Sequence, residues 1–335
     1  RFAKGRATSL SILQKISKAS NLGIGKGFSI CAFSQGGYGF AVGNDFSVES
    51  ITETFERAAN LAHWSEQFVK DPFLIKETPS RNQTFSIDQE IPLDAVQPEK
   101  KIHDLLAIEK EAYCDPRIVS TSVDYSDSEV EKIVYNSSGR YVRLKESGIF
   151  FIVQAIAREG PRQEGFYVSH GGLGGYEVLK NAREKGKEAA GNALELLGAK
   201  LAPRGVHDLI MNPSLSGTFV HEAFGHAAEA DSIVAGQSIL ADKMDSQIGH
   251  ENITIIDNPI FNKGFGYTYL DDEGTKGHPT VIVKDGILTG YLHNLETASK
   301  MEVEPTGNGR SGSFSVMPKV RMTNTYIEAG NSDVD

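Results

Sequence analysis

Cysteine, tryptophan and long apolar runs are scarce in this chain: its 335 residues include two cysteines and one tryptophan. Cys31 and Cys114 lie far apart and provide no disulfide framework, which suits a reducing interior and a cytoplasmic location. The longest apolar stretch, 149–157, is interrupted by Gln154 and falls well short of the ~20 residues a membrane helix needs. It reads as sheet core, and no membrane partner is expected. Cations are in deficit, with 34 Lys and Arg against 44 Asp and Glu and a net charge of -10, so a broad basic surface for nucleic acid is not expected. The first twenty residues are mixed and polar, unlike a signal peptide. The sequence has neither a G-x-S-x-G elbow nor a phosphate loop ending in Gly-Lys, which closes those two routes to hydrolysis.

What is present centres on His221-Glu222-Ala223-Phe224-Gly225-His226. Neutral imidazole is the usual ligand of catalytic zinc, and such a site takes three protein ligands with a fourth position left for water. A neighbouring carboxylate can take that water's proton during attack on a carbonyl, and Glu222 directly follows the first histidine. Zn2+ held by His221 and His226, with Glu222 as general base, is the hydrolytic reading. The alternative is an ordinary hydrogen-bonded helix surface.

The two histidines stand at i and i+5, one residue wider than the H-E-x-x-H pattern. On a regular helix their rings diverge by about 140°, too wide for one ion. A shared metal therefore predicts a π-type bulge within 221–226, with Gly225 the easiest place for the backbone to give way. The arc between the histidines holds Thr218, Glu222, Gly225 and Glu229, whereas Val220, Ala223, Phe224 and Ala227 fall on an apolar side. Asn212-Pro213 is a helix start signal, and 206–211 reads as a strand leading into it.

The run HEAFGHAAEAD from His221 to Asp231 resembles the signature of the TldD side of the TldD/PmbA family, also called modulator of DNA gyrase proteins. The resemblance continues through LDDEGT at 270–275, KDGILTGY at 284–291, TGNGR at 306–310 and PKVRMTNT at 318–325, with GGYGF at 36–40 and YNSSG at 135–139 upstream. It implies a zinc metallopeptidase that cuts short or unfolded peptides inside a chamber formed by a dimer, either a homodimer or a heterodimer with a related non-catalytic subunit. It places metal ligation on His221 and His226 and base catalysis on Glu222. The family's third ligand resembles a cysteine well past the position of 323–326, and neither Cys31 nor Cys114 matches it. That gap, and a start at Arg1, carry the expectation that the sequence is part of a longer protein. Glu229, Asp231, His250, His278 and His293 are the other candidates for a third ligand. A non-catalytic peptide-binding or assembly subunit is the competing reading.

Gly307-Asn308-Gly309-Arg310-Ser311-Gly312 satisfies G-x-G-x-x-G, but 313–318 reads as strand where a dinucleotide site needs a helix. The resemblance instead makes this loop a wall of the peptide chamber, with Gly309 and Arg310 as substrate-binding residues. Asp271-Asp272-Glu273 could attract a cation or face water.

The expected fold is α+β: an N-terminal α/β unit, a middle antiparallel sheet with helices, and a C-terminal β-rich domain carrying the HExxxH helix. The expected divisions are 1–75, a proline-bearing linker at 76–98, 99–205, and 206–335, the last incomplete at its end. Within them, 28–33 and 39–42 flank a turn and read as a hairpin. A helix is expected over 47–64 with Ser47 or Ser50 as cap, and another over 98–114. Strands are expected at 119–125, 131–135, 141–145 and 149–158, a flexible glycine break at 171–175, and a long helix over 176–197. Further strands are expected at 253–256, 280–283 and 287–292, the last two joined by the Asp285-Gly286 turn.

Overall fold

The computed structural model describes residues 1–70, 72–75, 82–261 and 264–330. A long hairpin opens the chain, β1 (Phe2–Leu13) and β2 (Ile16–Ser34), followed by β3 (Gly37–Gly43) and α1 (Val48–Ser65). β2 turns into β3 through Gln35 and Gly36, whose φ values of 49° and 83° are those of a two-residue hairpin turn. Ser47 caps α1 by accepting from the Ser50 amide at 3.3 Å. The helix lies directly on β3. A Cβ on Gly39 would sit 1.8 Å from the Ala58 carbonyl oxygen, and one on Gly37 2.3 Å from that of Ala62, so only glycine allows this approach.

Next come β4 (Asn82–Ser86), α2 (Pro98–Ala112), β5 (Ile118–Tyr135), β6 (Tyr141–Glu159), β7 (Arg162–Leu173) and α3 (Arg183–Gly198). All seven strands form one sheet in the order β3-β2-β1-β5-β6-β4, with β7 also on β6. β4 runs parallel to β6 at its start, and β7 runs antiparallel along the rest of the same edge. Several readings change here. The four pieces expected between 119 and 158 are two continuous strands, and the stretch expected as a linker carries β4, its residues 76–81 lying outside the described residues. Gly171 to Leu173 belong to β7, where a Cβ on Gly171 would meet the Ile149 carbonyl oxygen at 2.2 Å. The helix expected over 176–197 is a short 3-10 turn, Tyr176–Leu179, then a break at Asn181 (φ 66°), then α3.

The buried face of the two longest strands changes side along their length. At one end Val123, Tyr125, Ile149, Phe151, Val153, Ala155 and Ala157, all odd-numbered, pack beneath α2 and α3. At the other end Val134, Val142 and Leu144, all even-numbered, pack on Leu270 from the C-terminal part of the chain. Because neighbouring side chains alternate across a sheet, the two clusters cover opposite faces of one ribbon. Polar ties reinforce the second contact: Lys132 bridges Glu146 at 3.0 Å and Asp272 at 3.3 Å, and Arg140 donates to the Gly274 carbonyl.

From residue 213 onward the elements are short: α4 (Pro213–Val220), α5 (Ala230–Val234), β8 (Ile255–Asp257), β9 (Thr280–Lys284), β10 (Ile287–Leu288), α6 (Leu295–Lys300), β11 (Gly309–Arg310), β12 (Lys319–Val320) and β13 (Thr325–Ile327). β10-β9-β8-β13 make a small sheet, and β11 pairs with β12. The hairpin expected at Asp285-Gly286 forms, both residues having positive φ. Residues 206–211, expected as a strand, have no strand partner among the described residues, and Val206, Leu209 and Ile210 are exposed. The expected strand at 313–318 does not form: 313–316 are turns and bends, and 317–318 are irregular. Together the elements make an α+β fold, with helices laid on a largely antiparallel sheet. No described helix is long and apolar enough to cross a membrane.

Candidate metal centre

Asn212 caps α4, accepting from the Leu215 amide at 2.9 Å, and Pro213 takes the first helical position, as the start signal predicts. Only Val220 of α4 is buried, so the helix reaches the motif with most of its surface open. The backbone then widens into a π-turn over His221–Gly225 and tightens into a 3-10 turn over His226–Ala228. This is the distortion that the five-residue spacing requires. One extra residue is absorbed in the wide turn, and the histidines come back onto one side, with ring centroids 5.0 Å apart and planes at 83°.

Potential ligand atoms of His221, Glu222 and His226 all lie within 4.8 Å of one another, and all three residues are exposed. Two imidazoles and a carboxylate so placed fit a divalent zinc-like ion by donor type and by spacing. Among the described residues no other His, Cys, Asp or Glu joins this group.

Gly225 has a different role from the one the sequence suggests. Its φ of -60° is ordinary for a helix, so the turn does not need glycine's backbone freedom. Its missing side chain matters instead: a Cβ there would lie 1.7 Å from the Met322 sulfur. Met322 is buried beside Val220, Ala228, Ile255, Leu292 and Val320, which makes it the floor on which the π-turn rests.

Glu229 comes three residues after His226, as the helical projection places it, but it is buried, only 4% exposed. Its Oε1 is 3.3 Å from His226 Nδ1, and its Oε2 accepts from Arg321 Nη1 at 3.1 Å. Burial pushes its carboxyl upward, opposed by the Arg321 guanidinium and His226. The backbone holds it there, because Leu292 donates to the Ala228 carbonyl at 2.9 Å and accepts from the Ala230 amide at 3.0 Å. The remaining sequence candidates are occupied elsewhere. Asp231 accepts from Ser232, His250 from the Asn252 amide, and His278 lies 3.2 Å from the Thr306 carbonyl. His293 is buried against Thr297, and burial drives its imidazole down to about 4. The signal that separates Glu229 from these is its phase relative to His226.

The loop at 307–312 is tied to the acidic triplet. The Gly309 amide donates to Asp271 Oδ2 at 2.9 Å, and the Ser311 amide donates to Asp272. Glu273 accepts from the Leu295 amide at the start of α6. Asp271 and Glu273 are both shifted upward, chiefly by burial, with Asp271's charge adding to the shift of Glu273. Arg310 donates to the Met322 carbonyl at 2.6 Å and lines a cleft of about 240 Å³ together with Lys132, Ser147, Phe150 and Tyr267. Thus Met322 touches the π-turn through its sulfur and Arg310 through its carbonyl.

Sequence profiles of the PmbA/TldA metallopeptidase C-terminal and central domains match residues 204–335 and 91–197. A metalloprotease of Methanothermobacter thermautotrophicus is 35% identical over 335 residues, covering 99% of this chain and 72% of that protein. A zinc metalloprotease TldD homologue of Saccharolobus solfataricus is 26% identical over 325 residues, covering 93% of this chain and 68% of its own length. A crystal structure from Thermotoga maritima, of a candidate modulator of a DNA gyrase, superposes with a TM-score of 0.81 at 26% identity. It covers 99% of this chain and 74% of that one.

Proposed function

Since the chain belongs to the PmbA/TldD metallopeptidase family, we propose that it is the zinc-bearing, peptide-hydrolysing kind of subunit, with its centre at His221, Glu222 and His226. The observation that carries this is the π-turn, which spends an irregular backbone on bringing two imidazoles five residues apart onto one side. His221 and His226 would hold the ion. When bound, zinc supplies a Lewis acid for a carbonyl and acidifies a water at neutral pH.

Glu222 takes the water's proton and passes it toward the leaving amine. Its carboxylate lies in the same 4.8 Å cluster and is free of any hydrogen bond to the described residues that would hold it away. The substrate is a short or unfolded peptide. The open surroundings of the motif, with Leu209, Ile210, Leu215 and Phe219 exposed in the segment that leads into it, support an apolar or extended occupant. Arg310, in the lining of its cleft, offers a cation to a peptide carbonyl or carboxylate, while Gly309, its amide already engaged, serves as wall. The working assembly is a dimer, with a second copy or with a related subunit lacking the motif, in a reducing cytoplasmic setting. A third protein ligand completes the site.

Glu222→Gln tests the assignment. As general base, Glu222 can be replaced with retention of metal and loss of at least about 100-fold in turnover. Peptide cleavage and zinc content measured on the same samples decide it. Full activity in the variant removes Glu222 from the chemistry, and loss of zinc makes it a ligand instead.

A further inference from the structure

We propose that Glu229 and Arg321 together set the tautomer of His226, making Glu229 a positioning residue of the metal centre and not its third ligand. The inference rests on the metal reading above. Glu229 Oε1 is shielded from water and has no hydrogen-bond partner of good geometry among the described residues; the polar atom it faces is His226 Nδ1, 3.3 Å away. A buried carboxylate oxygen left in this state is costly unless it accepts a hydrogen bond from that ring's Nδ1–H. Its other oxygen is claimed by Arg321 at 3.1 Å. The backbone clamp between Leu292 and residues 228 and 230 fixes Glu229 at this distance.

An imidazole that donates from Nδ1 leaves Nε2 bare, and the bare nitrogen is the one able to bind an ion. Glu229 thus chooses which nitrogen of His226 is presented beside His221. Arg321 contributes by polarity. A guanidinium can only donate, so whatever stands at 229 must turn an oxygen toward it.

This gives Glu229→Gln a specific consequence. The glutamine amide turns its oxygen to Arg321 and its NH2 to His226 Nδ1. That nitrogen becomes the acceptor, the proton moves to Nε2, and the ligand position is blocked. Adding Arg321→Ala frees the amide to rotate, return its oxygen to Nδ1 and restore the original tautomer.

The experiment is long-range proton–nitrogen NMR of imidazole-labelled protein, held well above the imidazole pKa, without metal and during zinc titration. Wild type should show His226 protonated at Nδ1. Glu229→Gln should show it at Nε2, with zinc affinity lower by about 10- to 100-fold. The double variant should recover both. Nδ1 protonation and wild-type affinity in Glu229→Gln overturn the proposal, as does a double variant no better than the single one. A merely structural role for Glu229 cannot produce rescue by a further substitution that removes the Arg321 side chain. Failure of the metal reading looks different: His221 and His226 resonances would ignore zinc in every variant, wild type included.

Discussion

At the scale of single residues, the motif depends on an atom that is absent. Gly225 leaves room for the Met322 sulfur, and Gly225→Ala forces the two together within 1.7 Å. Repair requires either lifting the π-turn or displacing a buried methionine, so a loss of about 1–3 kcal/mol is expected. Thermal unfolding should show that loss, and zinc titration should show weaker binding by the displaced imidazoles. Met322→Ala in the same chain should return much of the metal affinity by vacating the space. Gly225 was visible in the sequence as the place where the backbone could yield, whereas its actual role, a packing contact with a residue 97 positions later, leaves no local trace.

At the scale of elements, α1 seated on β3 shows the same dependence in the main sheet. Gly39→Ala would set a methyl group 1.8 Å from the Ala58 carbonyl, and α1 must retreat from the strand. The expected cost is again about 1–3 kcal/mol. It should appear as an earlier denaturation midpoint and as faster amide exchange along α1, with the π-turn at His221–Gly225 unaffected. Elements whose signals are local were legible. The Ser47 cap, the Asn212-Pro213 start, the Asp285-Gly286 turn and the bulge imposed by five-residue spacing all formed as read. The misread elements are those whose pattern depends on distant partners. The sequence reads the two longest strands as four pieces because each changes its covered face partway, between 127 and 134 in β5 and between 144 and 147 in β6, and a single alternation does not run through the change. Residues 206–211 have a strand's composition but no ladder to join among the described residues. The grouping of His221, Glu222 and His226 is readable from the motif, but Glu229's engagement with Arg321 needs the fold to bring position 321 alongside.

At the scale of the whole molecule, the buried acids predict an unusual response to pH. Burial raises both Asp271 and Glu273 from unfolded values of about 4 toward the neutral range. Folding therefore takes up protons in this interval, and the pair's contribution is fully present below about pH 4 and is lost as pH rises through the neutral range. Glu273→Gln keeps an acceptor for the Leu295 amide while removing one charge from the pair. Its stability relative to wild type should rise with pH, from its lowest near pH 4 to a clear advantage near pH 8, measured by denaturant unfolding at both values. A variant whose disadvantage grows with pH would contradict the assignment.

The ribbon of β5 and β6 runs about 60 Å, long enough to serve two hydrophobic clusters, one on each face. Melting either cluster strips one face from a ladder that the other cluster still needs. Neither can come apart without loosening the rungs beneath its counterpart. The helices over one end and the Leu270 loop over the other are thus bound into a single cooperative unit, stabilised or lost together although they cover opposite faces.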